Sequence, residues 1–224
     1  MGTLIAIEGL DGSGKSTQIK LLADRLTGEG IPAKTVSFPH YESDSSALVK
    51  MYLAGEFGSE PGDVNAYCAS LFYAVDRYAS FRTDWESYYQ KGGVVVSARY
   101  TTSNAIHQMS KLPEAEWPGF MEWLFDLEFG KIGLPAPDLV IFLDMPPEVS
   151  QKMMTGRYQG DENKKDIHER DEGYLENCRK AAYRLAKQYG WLVIHCAEGD
   201  APRSREAIAE EVFAAVKEKI EGKA

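Results

Sequence analysis

Cysteine is scarce in this chain: Cys68, Cys178 and Cys196 are the only three in 224 residues, and they lie far apart. None of them forms the paired spacing of a metal site, and three small, reduced thiols are expected. No apolar run is long enough to span a bilayer, and the N-terminus enters a strand directly, so a soluble cytoplasmic protein is expected. Positive charge is in deficit, with 25 Lys and Arg against 34 Asp and Glu and a net charge of −9. That balance argues against broad binding to a nucleic-acid backbone, but it leaves room for a local cation cluster around a small anion. Repeats and low-complexity segments are also missing. The chain does have a hydrophobic fraction of 44%, enough for one sizeable core, and a single domain over residues 1–224 is expected.

The most informative stretch is Gly9-Leu10-Asp11-Gly12-Ser13-Gly14-Lys15-Ser16, followed by Thr17. It fits the P-loop pattern: Gly, four residues, Gly, Lys, then Ser or Thr. Glycines let the backbone curl closely enough for several N–H groups to converge on a polyphosphate. Lys15 adds a mobile cation for the β and γ phosphates, and the Ser16 hydroxyl can hold Mg²⁺. The context agrees. Leu4 to Ile7 reads as a buried strand, and Ile19, Leu22, Ala23 and Leu26 repeat at helical spacing over roughly Gly14 to Leu26. The helix N-terminus would then point its positive end at the same phosphates.

Strands and helices alternate along the rest of the chain. Lys34 to Phe38 reads as a second strand, followed by the aromatic turn Phe38-Pro39-His40-Tyr41 and a helix over Ala47 to Leu53. Phe38 suits the core and a ligand contact equally well. A long helix from Asp63 to about Tyr89 carries Val64, Cys68, Leu71, Val75, Trp85 and Tyr89 as one stripe. Phe72, Tyr73, Tyr78 and Phe81 widen its apolar surface enough to pack on the sheet and on a second subunit. Asp76 and Arg77 fit either a solvated pair or an arginine turned toward a substrate cleft. Val94 to Val96 reads as a central strand, with Arg99 at its end well placed for a phosphate. Helix over Glu116 to Phe129, strand over Leu139 to Asp144, helix from Pro146, helix over Tyr174 to Tyr189, strand over Trp191 to Cys196 and helix over Ser204 to Ile220 complete the pattern. Between them, about 153–172, charge crowds out apolar residues, as in a solvated face or a mobile lid over a nucleotide. This alternation implies parallel βαβ units.

Taken together, these segments resemble the thymidylate kinases among the P-loop nucleoside monophosphate kinases. The resemblance rests on the stretch from Ile7 to Thr17, on Phe38-Pro39, and on Leu71-Phe72-Tyr73-Ala74-Val75-Asp76-Arg77. Arg99-Tyr100 with Ser103-Asn104, and Pro137 to Leu139 through Asp144 and Pro146-Pro147-Glu148, extend it over nearly the whole chain. It implies a P-loop three-layer fold whose parallel five-stranded sheet has the order 2-3-1-4-5, with a charged lid and a homodimer built on the 63–89 helix. It also implies transfer of the γ-phosphoryl of ATP to dTMP with Mg²⁺.

By the same resemblance, Gly9 to Thr17 would bind ATP, with Ser16 near the metal. Asp11, Tyr41 and Arg99 would face the acceptor's sugar and phosphate, with Phe38 nearby. Phe72 would stack on thymine while Arg77 and Asn104 bond its edge, and the turn after Cys196 would border adenine. Lys15, Arg99 and the lid's Arg157 would be catalytic, with Lys164, Lys165 and Arg170 behind Arg157. Ala98 stands where the family usually has Asp, which shifts metal positioning to Glu8, Asp11 or Asp144. His107 stands where some members have Tyr near the sugar. Two other expectations remain open: a kinase for another deoxynucleotide or deoxynucleoside, and a nucleotide-binding relative without catalysis.

Overall fold

The computed structural model describes residues 1–60, 62–157 and 172–222, with side chains for 1–60, 62–153 and 173–222. Most of the expected lid, residues 158–171, therefore falls outside the described residues, as do Lys164, Lys165, Arg170 and the side chain of Arg157.

Five strands form one parallel sheet: β1 (Thr3–Glu8), β2 (Ala33–Ser37), β3 (Val94–Ala98), β4 (Leu139–Asp144) and β5 (Leu192–His195). Their order is β2-β3-β1-β4-β5, as expected. The central strand β1 pairs with β3 from Thr3 opposite Val94 and with β4 from Ile5 opposite Leu139. Its four apolar residues alternate between faces, which is why a run with no polar break is needed here. Leu4 and Ala6 join the core that holds Trp85, Tyr100, Phe120 and Leu185. Ile5 and Ile7 join the opposite core with Ile19, Leu22, Val212 and Phe213.

The helices that fill these two layers are α1 (Lys15–Gly28), α2 (Ala47–Leu53), α3 (Ala66–Ser80), α4 (Glu86–Gln90), α5 (Thr101–His107), α6 (Trp117–Phe125), α7 (Pro147–Arg157), α8 (Glu172–Tyr189) and α9 (Arg205–Glu221). The turn after Cys196 is a small hairpin, β6 (Ala197–Glu198) paired with β7 (Ala201–Pro202).

The long helix expected over 63–89 differs in two respects. It starts at Ala66, where the Asn65 side chain accepts from the Cys68 N–H. A π-type turn over Phe81–Trp85 then separates α3 from α4. An extra residue in a turn rotates the helix register, so the expected single stripe divides. Trp85 and Tyr89 are buried, whereas Leu71 and Val75 are exposed together with Tyr67 and Tyr78.

Candidate active site

The C-terminal ends of β1, β2 and β3 open into one cavity of about 650 Å³, the edge at which parallel α/β sheets hold ligands. The loop after β1 forms its floor, from Asp11 to Thr17. Gly9 has φ 156°, and a Cβ there would lie 2.4 Å from Ser13 Oγ and 2.9 Å from the Leu143 carbonyl. The loop therefore needs glycine at this point to fold back against β4. Gly14, at φ 88°, hands the chain to α1. The Lys15 ammonium donates to the Gly9 and Leu10 carbonyls at 2.9 and 2.8 Å, which curls it over the loop.

The second wall comes from β2 and the loop after it. Phe38 is 3% exposed yet lines the cavity, so it serves as core and wall at once. A cis peptide joins it to Pro39, and Asp76 holds the loop by accepting from the His40 N–H at 2.8 Å and the Ser45 hydroxyl at 2.6 Å. Tyr41 stands on this wall.

The third wall comes from β3 and α5. Arg99 has φ 63°, outside the normal range for a residue with a side chain. It sends Nη2 to Asp11 Oδ1 at 2.5 Å and Nη1 to His107 Nε2 at 2.9 Å. Burial works against the Arg99 charge, but Asp11 and then Glu8 outweigh it and raise its pKa. The guanidinium is a permanent cation.

Arg77, from α3, is buried at 1% exposure rather than solvated, and it reaches the same cavity. Its Nε and Nη2 pair with Glu128, and Asn104 from α5 lines the cavity beside it. Among the described lining residues the cations are Lys15, Arg77, Arg99 and Arg205, against the single carboxylate Asp11. A chain of net charge −9 thus concentrates positive charge where a polyphosphate would sit.

The comparisons agree with this geometry. The sequence model of the family described as thymidylate kinase matches residues 7–208. The chain belongs to the thymidylate kinase family. It is 32% identical over 190 residues to a thymidylate kinase of Mycobacterium tuberculosis, covering 84% of this chain and 87% of that one. It is 30% identical over 224 residues to one from Arabidopsis thaliana, covering 99% and 75%. A solved thymidylate kinase from Candida albicans shares the fold at a TM-score of 0.71 and 19% identity, covering 96% of this chain and 91% of that one.

Within this thymidylate kinase fold, most of the expected site residues meet at the cavity: Asp11 to Thr17, Phe38, Tyr41, Arg77, Arg99 and Asn104. Gly9 and Leu10 are buried in the loop and do not line the cavity. Phe72 does not line the cavity. It packs on Tyr52 and Phe57, with ring centroids 6.3 and 5.7 Å away, and Tyr73 stands on the wall in its place. The reason is helical phase: Tyr73 is four residues before Arg77 and shares its face, while Phe72 is five before it and turns away.

Of the three carboxylates expected to stand in for the missing Asp at Ala98, Glu8 and Asp144 are committed elsewhere. Glu8, fully buried, accepts from the Tyr100 N–H and the Thr102 and Ser103 hydroxyls at 2.9, 2.6 and 2.5 Å. Asp144 accepts from Arg179, Tyr183 and His195, and burial is outweighed by these donors so that its pKa lies below the usual carboxylate value. Asp11 alone of the three lines the cavity.

Sequence reasoning missed Arg205, Gln108 and Met153 on the cavity wall. Arg205 opens α9, where an arginine looks like ordinary surface charge. The turn after Cys196, expected to border adenine, is not among the described lining residues, whereas Arg205, just beyond the hairpin, is.

Proposed function

We propose that this chain transfers the γ-phosphoryl of ATP to dTMP, giving ADP and dTDP. The observation that carries the reading is one cavity lined together by the P-loop, by Arg99, and by Arg77, Asn104 and Tyr73. ATP phosphates would lie on the loop amides and Lys15, and the acceptor phosphate would lie against Arg99 and Tyr41. The acceptor's phosphate oxygen attacks the γ-phosphorus, and the bond to the β–γ bridging oxygen breaks. A phosphate oxygen is already a nucleophile at neutral pH, so the site needs no general base. Its task is alignment and neutralisation of spreading charge by fixed cations. Tyr73, in place of Phe72, would stack on the base.

Ser16 and Asp11 supply hard oxygen donors at the cavity and fit Mg²⁺, which takes one or two protein oxygens and completes its shell with phosphates and water. When bound, the ion would neutralise charge on the β and γ phosphates. Arg157 would bring a lid cation to the transferring group, within one domain spanning 1–224. The exposed Tyr67, Leu71, Val75 and Tyr78 on α3 suit a homodimer contact. Among the described residues no helix is long and apolar enough to cross a membrane, and a cytoplasmic location fits the proposed substrates.

The test is coupled ADP release with Mg·ATP, offering dTMP, dUMP, dCMP, dGMP, thymidine or no acceptor in parallel. Release selective for dTMP is expected. Preference for thymidine, or release independent of any acceptor, would overturn the reading.

A further inference from the structure

Glu128 lies in the turn that continues α6, at 0% exposure and off the cavity wall. Four donors nevertheless converge on its carboxylate. Oε2 accepts from Arg77 Nε and Thr101 Oγ1, both at 2.7 Å, and Oε1 accepts from Arg77 Nη2 at 2.5 Å and Asn104 Nδ2 at 3.2 Å. The same Asn104 Nδ2 also donates to the Ser70 carbonyl at 3.2 Å.

This arrangement fixes the orientation of the Asn104 amide. Glu128 Oε1 and the Ser70 carbonyl can only accept, so the NH₂ must face them, and a reversed amide would set its oxygen against two acceptors. Asn104 then has its Oδ1 left to offer a ligand. Arg77 is constrained in the same way: with Nε and Nη2 committed to Glu128, Nη1 is the nitrogen it has left. Both residues line the cavity, so their offer is one acceptor beside one donor.

We infer that Glu128 is a positioning residue that sets the hydrogen-bonding polarity of the base pocket and so selects an imide edge. Thymine and uracil present a carbonyl acceptor next to an N–H donor, which complements Arg77 Nη1 and Asn104 Oδ1. Cytosine presents an amino donor next to a bare ring nitrogen and would meet donor with donor and acceptor with acceptor. Selection arises because a mismatched base leaves buried polar groups unpaired. The inference rests on the base-pocket reading given under Proposed function, and it adds a residue that touches no substrate.

The experiment compares the full chain with Glu128→Gln and Glu128→Asp, using Arg77→Ala and Asn104→Ala as controls for the pocket itself. Initial rates with Mg·ATP give kcat and KM for dTMP and dCMP, and thermal melting follows the fold. In the Glu128 variants the dTMP-over-dCMP ratio should fall about tenfold to a hundredfold through KM, less in Asp than in Gln. Turnover with dTMP and KM for ATP should stay within about threefold. A lowered melting temperature with an unchanged ratio would overturn the positioning role. If Glu128→Gln fails to fold, Glu128→Asp, which keeps the charge, decides by the same ratio. A wild type indifferent between dTMP and dCMP would overturn the base-pocket reading and this inference together. A preference lost in the Arg77 and Asn104 variants but kept in the Glu128 variants would overturn this inference alone.

Discussion

Two arginine–carboxylate pairs, 2.5 Å each, flank the same cavity and do different work. Arg77–Glu128 is sealed, with side chains 1% and 0% exposed, whereas Arg99–Asp11 is 18% and 25% exposed. In the sealed pair both side chains are almost wholly withdrawn from water, so each charge depends mainly on the other for solvation. In the open pair both side chains are reached from the cavity, and under the proposed reaction the acceptor phosphate would take Arg99 from Asp11 and leave that carboxylate for the metal ion. The bonds are alike, and their surroundings make one a fixture and the other an exchangeable contact.

The contrast breaks most sharply when one partner is removed. Glu128→Ala should cost about 3–5 kcal/mol in urea unfolding, because it leaves the Arg77 charge buried and uncompensated. The double variant Arg77→Leu with Glu128→Leu should recover most of that loss. A double variant as unstable as the single one would show that the stranded charge is not the cause. Arg99→Ala should do the opposite. Its unfolding midpoint should barely move, while kcat falls about 10²–10³-fold, the loss typical of one fixed charge at a reacting group. A destabilisation equal to that of Glu128→Ala would erase the distinction between the two pairs.

The open pair was the legible one. Asp11 sits inside a spaced motif and Arg99 at the end of a Val-Val-Val strand, so local pattern located both. The boundaries of β4 and α2 were equally readable, because β4 is an uninterrupted apolar run and α2 follows a serine-rich turn, Asp44–Ser46, that Ser43 caps. Glu128 carried no signal. It lies 51 residues from Arg77 in a segment that reads as an amphipathic helix, where a glutamate normally faces water. Only tertiary packing brings it beneath α3 and α5. The place of Phe72 off the cavity wall has a smaller cause: Phe72 and Tyr73 are adjacent aromatics, and one position is about 100° of helix. Assigning the face by counting back one turn from Arg77 would have selected Tyr73.

That correction also separates a wall residue from a packing residue. Tyr73→Ala should raise KM for dTMP roughly tenfold, about 1.4 kcal/mol, by removing a base-stacking face. Phe72→Ala should leave KM for dTMP alone and lower stability instead, since its ring packs on Tyr52 and Phe57. The reverse pattern would return the stacking role to Phe72.

Lys111 sharpens the comparison as a half-buried cation bonded to neutral partners. Its ammonium donates to Tyr52 Oη at 2.6 Å and the Val64 carbonyl at 3.3 Å. Burial, only partly offset by Cys178, lowers its pKa from 10.5 to about 8. Arg77, with a carboxylate partner, has its pKa raised despite deeper burial. The sign of the consequence follows from proton counting. Between these two Lys111 values the unfolded chain keeps a proton that the folded chain has released, so this group makes stability rise with pH there. Below about pH 8 both states are protonated and the burial cost is felt in full. The measurement is the stability difference between wild type and Lys111→Met, which isolates this one group. From about pH 7.5 to about pH 9.5 the wild type should gain on the variant. Parallel stability curves would mean that Tyr52 and Val64 hold the ammonium as well as a carboxylate would, and that a half-buried cation here needs no counter-charge.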